Sequence, residues 1–255
     1  MLENCQRVYA AVDLDAVRYN MEQMHKHLSP GTKMMGVIKT DGYGHGAVPI
    51  GRELEALSYV SGYAVATAEE AFTLREAGLK KPILILGYTF PYSYEELIRR
   101  GIRPAVFRMD SVEALADCAR RIGQEAHVHI KVDTGMSRVG IMPDEDGLFF
   151  VEQLIHTEGI AVEGIFTHFA RADETDKGPA REQLSRFLDF VEQIEKRLGY
   201  AIPVKHCSNS AGILELPEAN LNMVRAGITI YGLWPSEEVS REVISLRPVL
   251  SLKSH

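Results

Sequence analysis

The segment VIKTDGYGHG, residues 37–46, joins an apolar strand to a glycine-rich loop. Lys39 ends the predicted strand MMGVIK (34–39), and the three glycines that follow make the loop tight and open. A lysine at the end of a buried strand loses hydration, which is costly unless the amine is used. Such an amine can form a covalent bond with an aldehyde. Considered without its neighbours, Lys39 fits a second interpretation at least as well, in which it is a strand-end lysine whose ammonium reaches solvent.

Short apolar runs recur on both sides of this segment and alternate with amphipathic stretches. Runs that are apolar on both faces are typical of buried parallel strands. The predicted strands are 34–39, 63–67, 82–86, 103–107, 127–132, 162–169, 203–208 and 222–228. Eight strands separated by helices predict an α/β fold, a (β/α)₈ barrel of the TIM type, with a doubly wound open sheet as the alternative.

Helical periodicity is clearest in two of the intervening stretches. Residues 13–28 place apolar side chains on one stripe behind Asp13, which is a suitable N-cap, and residues 182–198 show the same pattern. A short helix is also predicted at 209–214, where it would direct backbone N–H groups toward an anion.

Composition limits the classes of partner and compartment. The 255 residues carry a formal net charge of -7, which argues against nucleic acid as a partner. Three cysteines (Cys5, Cys118 and Cys207) do not form a disulfide framework, so a reducing cytoplasm is the simplest location. We find no signal-peptide pattern and no apolar run near the ~20 residues of a membrane span.

The C-terminal residues SLRPVLSLKSH contain the apolar positions Val249, Leu250 and Leu252. This pattern indicates a strand that is just beginning and has nothing to pair with. Backbone groups of a strand need partners, so we expect the chain to be part of a longer protein, with a frayed terminus as the alternative.

The loop at 37–46 resembles the cofactor-lysine motif of alanine racemases, V-x-K-A-x-A-Y-G-H-G, with Thr40 and Gly42 in place of two alanines. Four further motifs resemble that family in the same order, and the resemblance covers essentially the whole chain. They are KVDTGMSRVG (131–140), GIFTHFARAD (164–173), HCSNSAG (206–212) and VRAGITIYG (224–232). The resemblance implies a fold-type III barrel that binds pyridoxal 5'-phosphate, over residues 1–242. Residues 243–255 would begin a mostly β second domain that is otherwise missing.

The resemblance also implies roles for individual residues. Lys39 would carry pyridoxal phosphate as a Schiff base and act as one acid/base at the substrate α-carbon. Tyr43 would hydrogen-bond the cofactor phosphate, which Ser210 and the backbone amides of Gly227 and Ile228 would also bind. Phosphate binding after the last two strands is a recurrent barrel feature.

Arg225 matches the arginine that contacts the pyridine nitrogen in this family. A guanidinium is not readily deprotonated, so the ring nitrogen would stay unprotonated. His168 matches the histidine that contacts this arginine, and Arg138 matches a residue on the cofactor phenolic oxygen. Lys131 matches a lysine that is carbamylated in some members and would then hold Arg138; otherwise it is a strand lysine paired with Asp133.

One part of the family's machinery has no match. The second base is a tyrosine of the second domain, donated across a dimer interface, and no tyrosine here takes that role, because Tyr231 belongs to the motif of the last barrel strand. We therefore expect a homodimer for the full-length protein and little racemisation by this chain alone.

The resemblance favours alanine racemase activity, which supplies D-alanine to peptidoglycan. A serine or alanine racemase module of glycopeptide resistance is an alternative. A single-barrel pyridoxal-phosphate carrier without turnover would also fit the length, although the motifs match it less well. A barrel decarboxylase is disfavoured, because it would place a carboxylate where Arg225 stands.

Overall fold

The computed structural model describes residues 7–254. Within that range the strands, numbered along the chain, are β1 (Val8–Val12), β2 (Lys33–Val37), β3 (Val60–Val65), β4 (Ile83–Ile85), β5 (Ile102–Val106), β6 (Ala126–Lys131), β7 (Ile160–Phe166), β8 (Val204–His206), β9 (Met223–Ala226) and β10 (Leu250–Ser254). The helices are α1 (Leu14–His27), α2 (Lys39–Tyr43), α3 (Ala47–Glu55), α4 (Ala68–Glu76), α5 (Tyr94–Arg99), α6 (Met109–Ile122), α7 (Glu145–Ile155), α8 (Gly178–Leu198) and α9 (Ser210–Glu215).

Strands β2 to β9 form one parallel sheet of eight strands in the order β8-β7-β6-β5-β4-β3-β2-β9. The sheet curls until its two edges meet. There the backbone N–H of Arg225 donates to the carbonyl oxygen of Ser208 at 3.0 Å, just beyond the end of β8. The predicted (β/α)₈ barrel is confirmed, and the open-sheet alternative is excluded.

The helices cover the barrel as their sequences predict. Helix α1 begins after Asp13, whose carboxylate accepts a 3.0 Å hydrogen bond from the N–H of Ala16. Its apolar stripe, including Val17 and Met24, is buried, and the helix packs against α3, α9 and the turn at 228–231. Most of the apolar core lies between the surrounding helices and the strands of the barrel.

A second, smaller cluster fills part of the barrel interior, and its members alternate along the strands. It consists of Met35, Val37, Ala64, Leu84, Ala105, Phe166 and Met223. Paired residues of parallel strands point to the same side, and Arg225 pairs with Met35, His129 with Ala105 and His206 with Phe166. The interior therefore also contains a buried polar layer, which the apolar pattern of the strands did not predict.

Several strand ends differ from the prediction. Strand β2 ends at Val37 and β7 at Phe166, so Lys39 and His168 lie beyond the strands they were expected to end. Likewise Gly227 and Ile228 follow β9 rather than close it. Each predicted strand was too long at its C-terminal end, because apolar residues such as Ile38, Leu86 and Phe107 continue past the last residue of several strands.

The predicted C-terminal strand exists, but the expectation that it lacks a partner is wrong. Strand β10 pairs antiparallel with β1, from Val8 opposite Ser254 to Val12 opposite Leu250. The two strands form a separate two-stranded sheet outside the barrel. Strand β1 was not predicted.

No helix in the described part of the chain is both long and apolar enough to span a bilayer. Cys118 and Cys207 are buried free thiols, and burial raises the pKa of Cys207 to about 12. Cys5 lies outside the described residues.

Candidate active site

A cavity of about 340 Å³ opens at the C-terminal ends of the barrel strands. Every residue that the sequence predicted for the site lines it. These residues are Lys39, Tyr43, Lys131, Arg138, His168, Ser210, Arg225, Gly227 and Ile228. Residues contributed by five different strand ends thus converge on one volume, as in other barrels with this architecture.

Lys39 begins a left-handed turn rather than ending a strand. The backbone φ angles of Thr40, Asp41, Gly42 and Tyr43 are 56°, 49°, 60° and 52°. Left-handed helix costs roughly 1–2 kcal/mol per residue for side chains other than glycine. The turn is therefore strained, and its neighbours must hold it in place.

Two carboxylates hold the turn. Glu70 accepts the N–H of Thr40 at 2.8 Å on one oxygen and the N–H of Ala66 at 2.7 Å on the other. Asp41 accepts the N–H of Ala47 at 2.8 Å, which connects the turn to the start of α3. The half-buried amine of Lys39 lies 5.5 Å from the ring centroid of Tyr43.

The ring of Tyr231 packs against the ring of Tyr43. The two rings meet edge to face with centroids 5.2 Å apart, and the hydroxyl of Tyr231 donates to the carbonyl oxygen of Val37 at 3.0 Å. Burial raises the pKa of Tyr231 far above its usual range. Tyr231 is therefore a support for the loop and is poorly suited to transfer protons.

Arg225 is 3% exposed and is held at both terminal nitrogens. Nη1 donates to Nδ1 and to the carbonyl oxygen of His206, at 2.9 and 3.0 Å. Nη2 donates to the carbonyl oxygens of Thr167 and Cys207, at 2.7 and 2.9 Å, and lies 3.3 Å from Nδ1 of His168. Nε has no acceptor among the described residues, so it can donate to a ligand in the cavity.

The charges of this arrangement are well defined. Burial lowers the pKa of Arg225 to about 10, so the guanidinium stays protonated near neutral pH. Burial and the charge of Arg225 lower the pKa of His168 to about 3, so its imidazole is neutral. A neutral His168 can accept from Arg225, as the sequence comparison implied.

Ser210 is the centre of a small polar cluster at the start of α9. Its hydroxyl accepts the N–H of Gly227 at 3.1 Å and lies 3.0 Å from the hydroxyl of Thr229. The predicted helix at 209–214 is present as α9, with Asn209 as its N-cap. Thr229 was not predicted as part of this cluster.

Lys131 is 2% exposed and does not pair with Asp133, contrary to one of its two predicted states. Its ammonium donates to the carbonyl oxygen of Val132 at 2.7 Å. Asp133 instead accepts three backbone N–H groups of the following loop, those of Gly135, Ser137 and Arg138, at 2.9 to 3.0 Å. Asp133 thus shapes the loop that carries Arg138.

The cavity is cationic. Its described lining contains Lys39, Lys131, Arg138 and Arg225 against the single carboxylate of Asp173. Burial and the charge of Arg225 lower the pKa of Lys131 to about 8. Such a lining favours anionic ligands such as phosphates and carboxylates. Residues 7–254 contain no group of three or more side chains suited to hold a metal ion.

Sequence reasoning missed the residues that act behind the lining. Glu70 and Asp41 hold the Lys39 turn, and His206 holds Arg225. His206 lies inside the quoted motif HCSNSAG, and its place in an otherwise apolar strand was a usable signal. Nothing in the sequence indicated a role for Glu70, because it lies 30 residues from Thr40 in a stretch with ordinary helical periodicity.

Comparisons with known proteins agree with this geometry. Residues 12–235 match the family model described as "Alanine racemase, N-terminal domain". The chain is 44% identical over 248 residues to an alanine racemase of Desulforamulus reducens, covering 97% of this chain and 66% of the relative. It is 39% identical over 249 residues to an alanine racemase of Methanococcus maripaludis, covering 96% of this chain and 65% of that relative.

Solved structures of alanine racemases are also similar to this chain. An alanine racemase of Clostridium difficile 630 in complex with cycloserine superposes with a TM-score of 0.95 at 38% identity, covering 99% of this chain and 69% of that one. An alanine racemase of Bacillus anthracis with bound L-Ala-P gives a TM-score of 0.90 at 32% identity, covering 97% and 64%. The chain thus spans about two thirds of the length of these relatives.

Proposed function

The chain belongs to the alanine racemase family through its barrel domain, and we propose that it binds pyridoxal 5'-phosphate and acts on alanine as part of an amino-acid racemase. The observation that carries this proposal is the convergence of Lys39, Arg225 and Ser210 on one cationic cavity. An amine, an unpaired guanidinium N–H and a cluster of hydroxyl and backbone N–H groups match the aldehyde, ring nitrogen and phosphate of this cofactor.

Different residues of this chain would hold each part of the cofactor. Ser210, Tyr43 and the backbone N–H groups of Gly227 and Ile228 would hold the phosphate. Arg225 would donate from Nε to the ring nitrogen, since its other N–H groups already have acceptors. When bound, the cofactor supplies the aldehyde to which the amine attaches and a conjugated ring that stabilises negative charge at the substrate α-carbon.

Arg138 and Lys131, which also line the cavity, would complete the site. Arg138 would donate to the phenolic oxygen of the ring. Lys131 is buried beside Arg225, and carbamylation would replace its cationic charge with an anion that can bind Arg138. The lowered pKa of Lys131 supports this modification, because only the neutral amine reacts with carbon dioxide.

Lys39 would move the proton at the substrate α-carbon through Nζ on the face that it can reach. The opposite face needs a second group. Of the described tyrosines, Tyr43 lines the cavity close to Lys39, and Tyr231 is buried and donates to Val37. We propose that the second base comes from outside the described residues, from the β domain of a second subunit in a homodimer.

His168 would contribute by its position rather than as a proton donor, because its neutral ring contacts Arg225 at 3.3 Å. We propose the domain boundary at 242/243; β10 lies beyond it, in a two-stranded sheet outside the barrel that also contains β1. The product D-alanine would serve peptidoglycan, and the two buried free thiols support a cytoplasmic location. The relatives reported above are alanine racemases, which favours alanine over serine and turnover over a carrier role.

The test is α-proton exchange in heavy water. The chain with pyridoxal phosphate is incubated with D- or L-alanine, and deuterium at the α-carbon is measured in each enantiomer after chiral separation. We expect deuterium in one enantiomer with little inversion, and a loss of about 10²–10⁴-fold in Lys39→Ala. Lys33→Ala, at the exposed start of β2, is the matched control. Absence of exchange, or exchange unchanged in Lys39→Ala, would contradict the proposal.

A further inference from the structure

A line of polar side chains crosses the barrel interior behind Arg225. Nη1 of Arg225 lies 2.9 Å from Nδ1 of His206, and Nε2 of His206 lies 3.0 Å from Nδ1 of His129. Nε2 of His129 then faces Oε2 of Glu163 at 3.8 Å. His206 is fully buried and His129 is 5% exposed, so no competing solvent contact determines their protonation.

The guanidinium at one end of this line sets the direction of its protons. A guanidinium only donates, so Nδ1 of His206 must accept from Arg225. A neutral His206 therefore carries its hydrogen on Nε2 and donates it to Nδ1 of His129. His129 must then carry its hydrogen on Nε2, toward the carboxylate of Glu163. The reverse tautomers would set N–H against N–H at Arg225.

Both rings are held in the neutral form that this arrangement requires. Burial, followed by the charge of Arg225, lowers the pKa of His206 well below its usual value. Burial also lowers the pKa of His129, and Arg103 and Arg225 add to that effect while Glu163 opposes it.

Neighbouring residues hold the side chains of His206, His129 and Glu163 in place. Phe166 stacks on His206 with ring centroids 4.8 Å apart. Gly164 leaves room for His129, since a Cβ atom there would lie 2.5 Å from its Nδ1. At the far end, Glu163 accepts from Nε and Nη2 of Arg103 at 2.8 and 2.9 Å. His127 also faces Glu163, with Nδ1 3.2 Å from Oε1.

We propose that Glu163, His129 and His206 are positioning residues that fix one tautomer in each ring and hold the guanidinium of Arg225 with Nε available to the cavity. What Nε contacts there rests on the proposed function. The line itself does not, because it is formed by the protein alone. Glu163 is not among the residues that line the cavity, so a residue without contact to the ligand controls the group that contacts it.

The first test is ¹⁵N NMR of the histidine-labelled chain without cofactor, with assignment from His129→Asn. We expect both rings to have an unprotonated Nδ1 and a protonated Nε2, with no titration across about pH 6–8. Glu163→Gln should shift the Nε2 signals of both rings. Glu195→Gln, which removes a similarly exposed carboxylate paired with Lys205, should shift neither. The opposite tautomer in either ring, or equal responses to the two variants, would overturn the proposal.

The second test is the Kd of pyridoxal phosphate, followed by its absorbance. His129→Leu leaves Nε2–H of His206 without an acceptor and should raise the Kd about tenfold. His129→Asn should restore most of the affinity, because its amide oxygen can accept that hydrogen. Equal Kd values for the two variants would contradict the positioning role. If the unmodified chain does not bind the cofactor, the proposed function fails, and the NMR result still decides the line. If His129→Leu does not fold, the comparison of Glu163→Gln with Glu195→Gln decides whether these residues position Arg225.

Discussion

The backbone N–H of Thr40 donates a 2.8 Å hydrogen bond to Oε1 of Glu70, a residue of the next helix but one. The other oxygen of Glu70 accepts the N–H of Ala66. One carboxylate thus connects the strained turn after Lys39 to the end of the neighbouring strand β3. This contact, together with the hydrogen bond from the N–H of Ala47 to Asp41, holds four consecutive residues in the left-handed region.

Glu70→Gln should therefore lower the stability of the fold. The amide has one acceptor oxygen where the carboxylate has two, so one of the two N–H groups loses its partner. We expect a loss of about 1–2 kcal/mol in the free energy of unfolding, measured by denaturant titration. Glu69→Gln, at the exposed neighbouring position, should leave the free energy of unfolding nearly unchanged. Similar losses in both variants would mean that Glu70 does not hold the turn.

Arg225→Met should be far more destabilising than the loss of a surface arginine. It removes the donors to three buried carbonyl oxygens, those of Thr167, His206 and Cys207. The carbonyl oxygen of His206 keeps a 3.4 Å hydrogen bond from the N–H of Thr167, but those of Thr167 and Cys207, together with Nδ1 of His206, would have no donor left among the described residues. Buried acceptors without partners cost about 1–3 kcal/mol each, so we expect a total loss of at least about 3 kcal/mol. Arg197→Met breaks an exposed ion pair with Glu145 and should leave the stability nearly unchanged. Arg225→Glu should also unfold readily, because its carboxylate would face these same oxygens.

The fold could be predicted from the sequence because barrel strands and helices have local patterns. The cavity-lining residues could be predicted because Lys39, Ser210 and Arg225 lie in short motifs that resemble those of alanine racemases; their positions next to strand ends did not by themselves indicate a role. The polar barrel interior could not, because His129, His206 and Glu163 meet only after three strands are in register. The antiparallel pairing of β1 with β10 joins the two ends of the described chain, and neither strand alone indicates its partner.

The buried ammonium of Lys131 should make stability depend on pH. Its pKa falls from 10.5 to about 8 in the folded chain, so the unfolded chain binds more protons between these values. Stability contributed by this group therefore rises as the pH increases from about 8 to 10.5, by roughly 2–3 kcal/mol. The measurement is the difference in unfolding free energy between the unmodified chain and Lys131→Met across that range. A difference that is constant with pH would contradict the lowered pKa.

The same amine should form a carbamate in bicarbonate buffer. Carbon dioxide adds to neutral Nζ with release of one proton, which is favourable near pH 8, where about half of Lys131 is neutral. With ¹³C-bicarbonate, a carbamate signal should appear in the NMR spectrum of the unmodified chain and be absent from Lys131→Met. A signal that persists in Lys131→Met would place the modification on another amine.

Covalent attachment of the cofactor tests the central claim most directly, because the cavity contains two lysines. Lys131 has the lowered pKa, but it is buried and its ammonium donates to Val132, whereas Lys39 is half-buried at the open side. Pyridoxal phosphate is added to the folded chain, borohydride reduces the adduct, and peptide mapping locates the label. We predict the label on Lys39, its loss in Lys39→Ala, and its retention in Lys131→Met. A label on Lys131 or elsewhere, or no label on folded protein, would contradict the account.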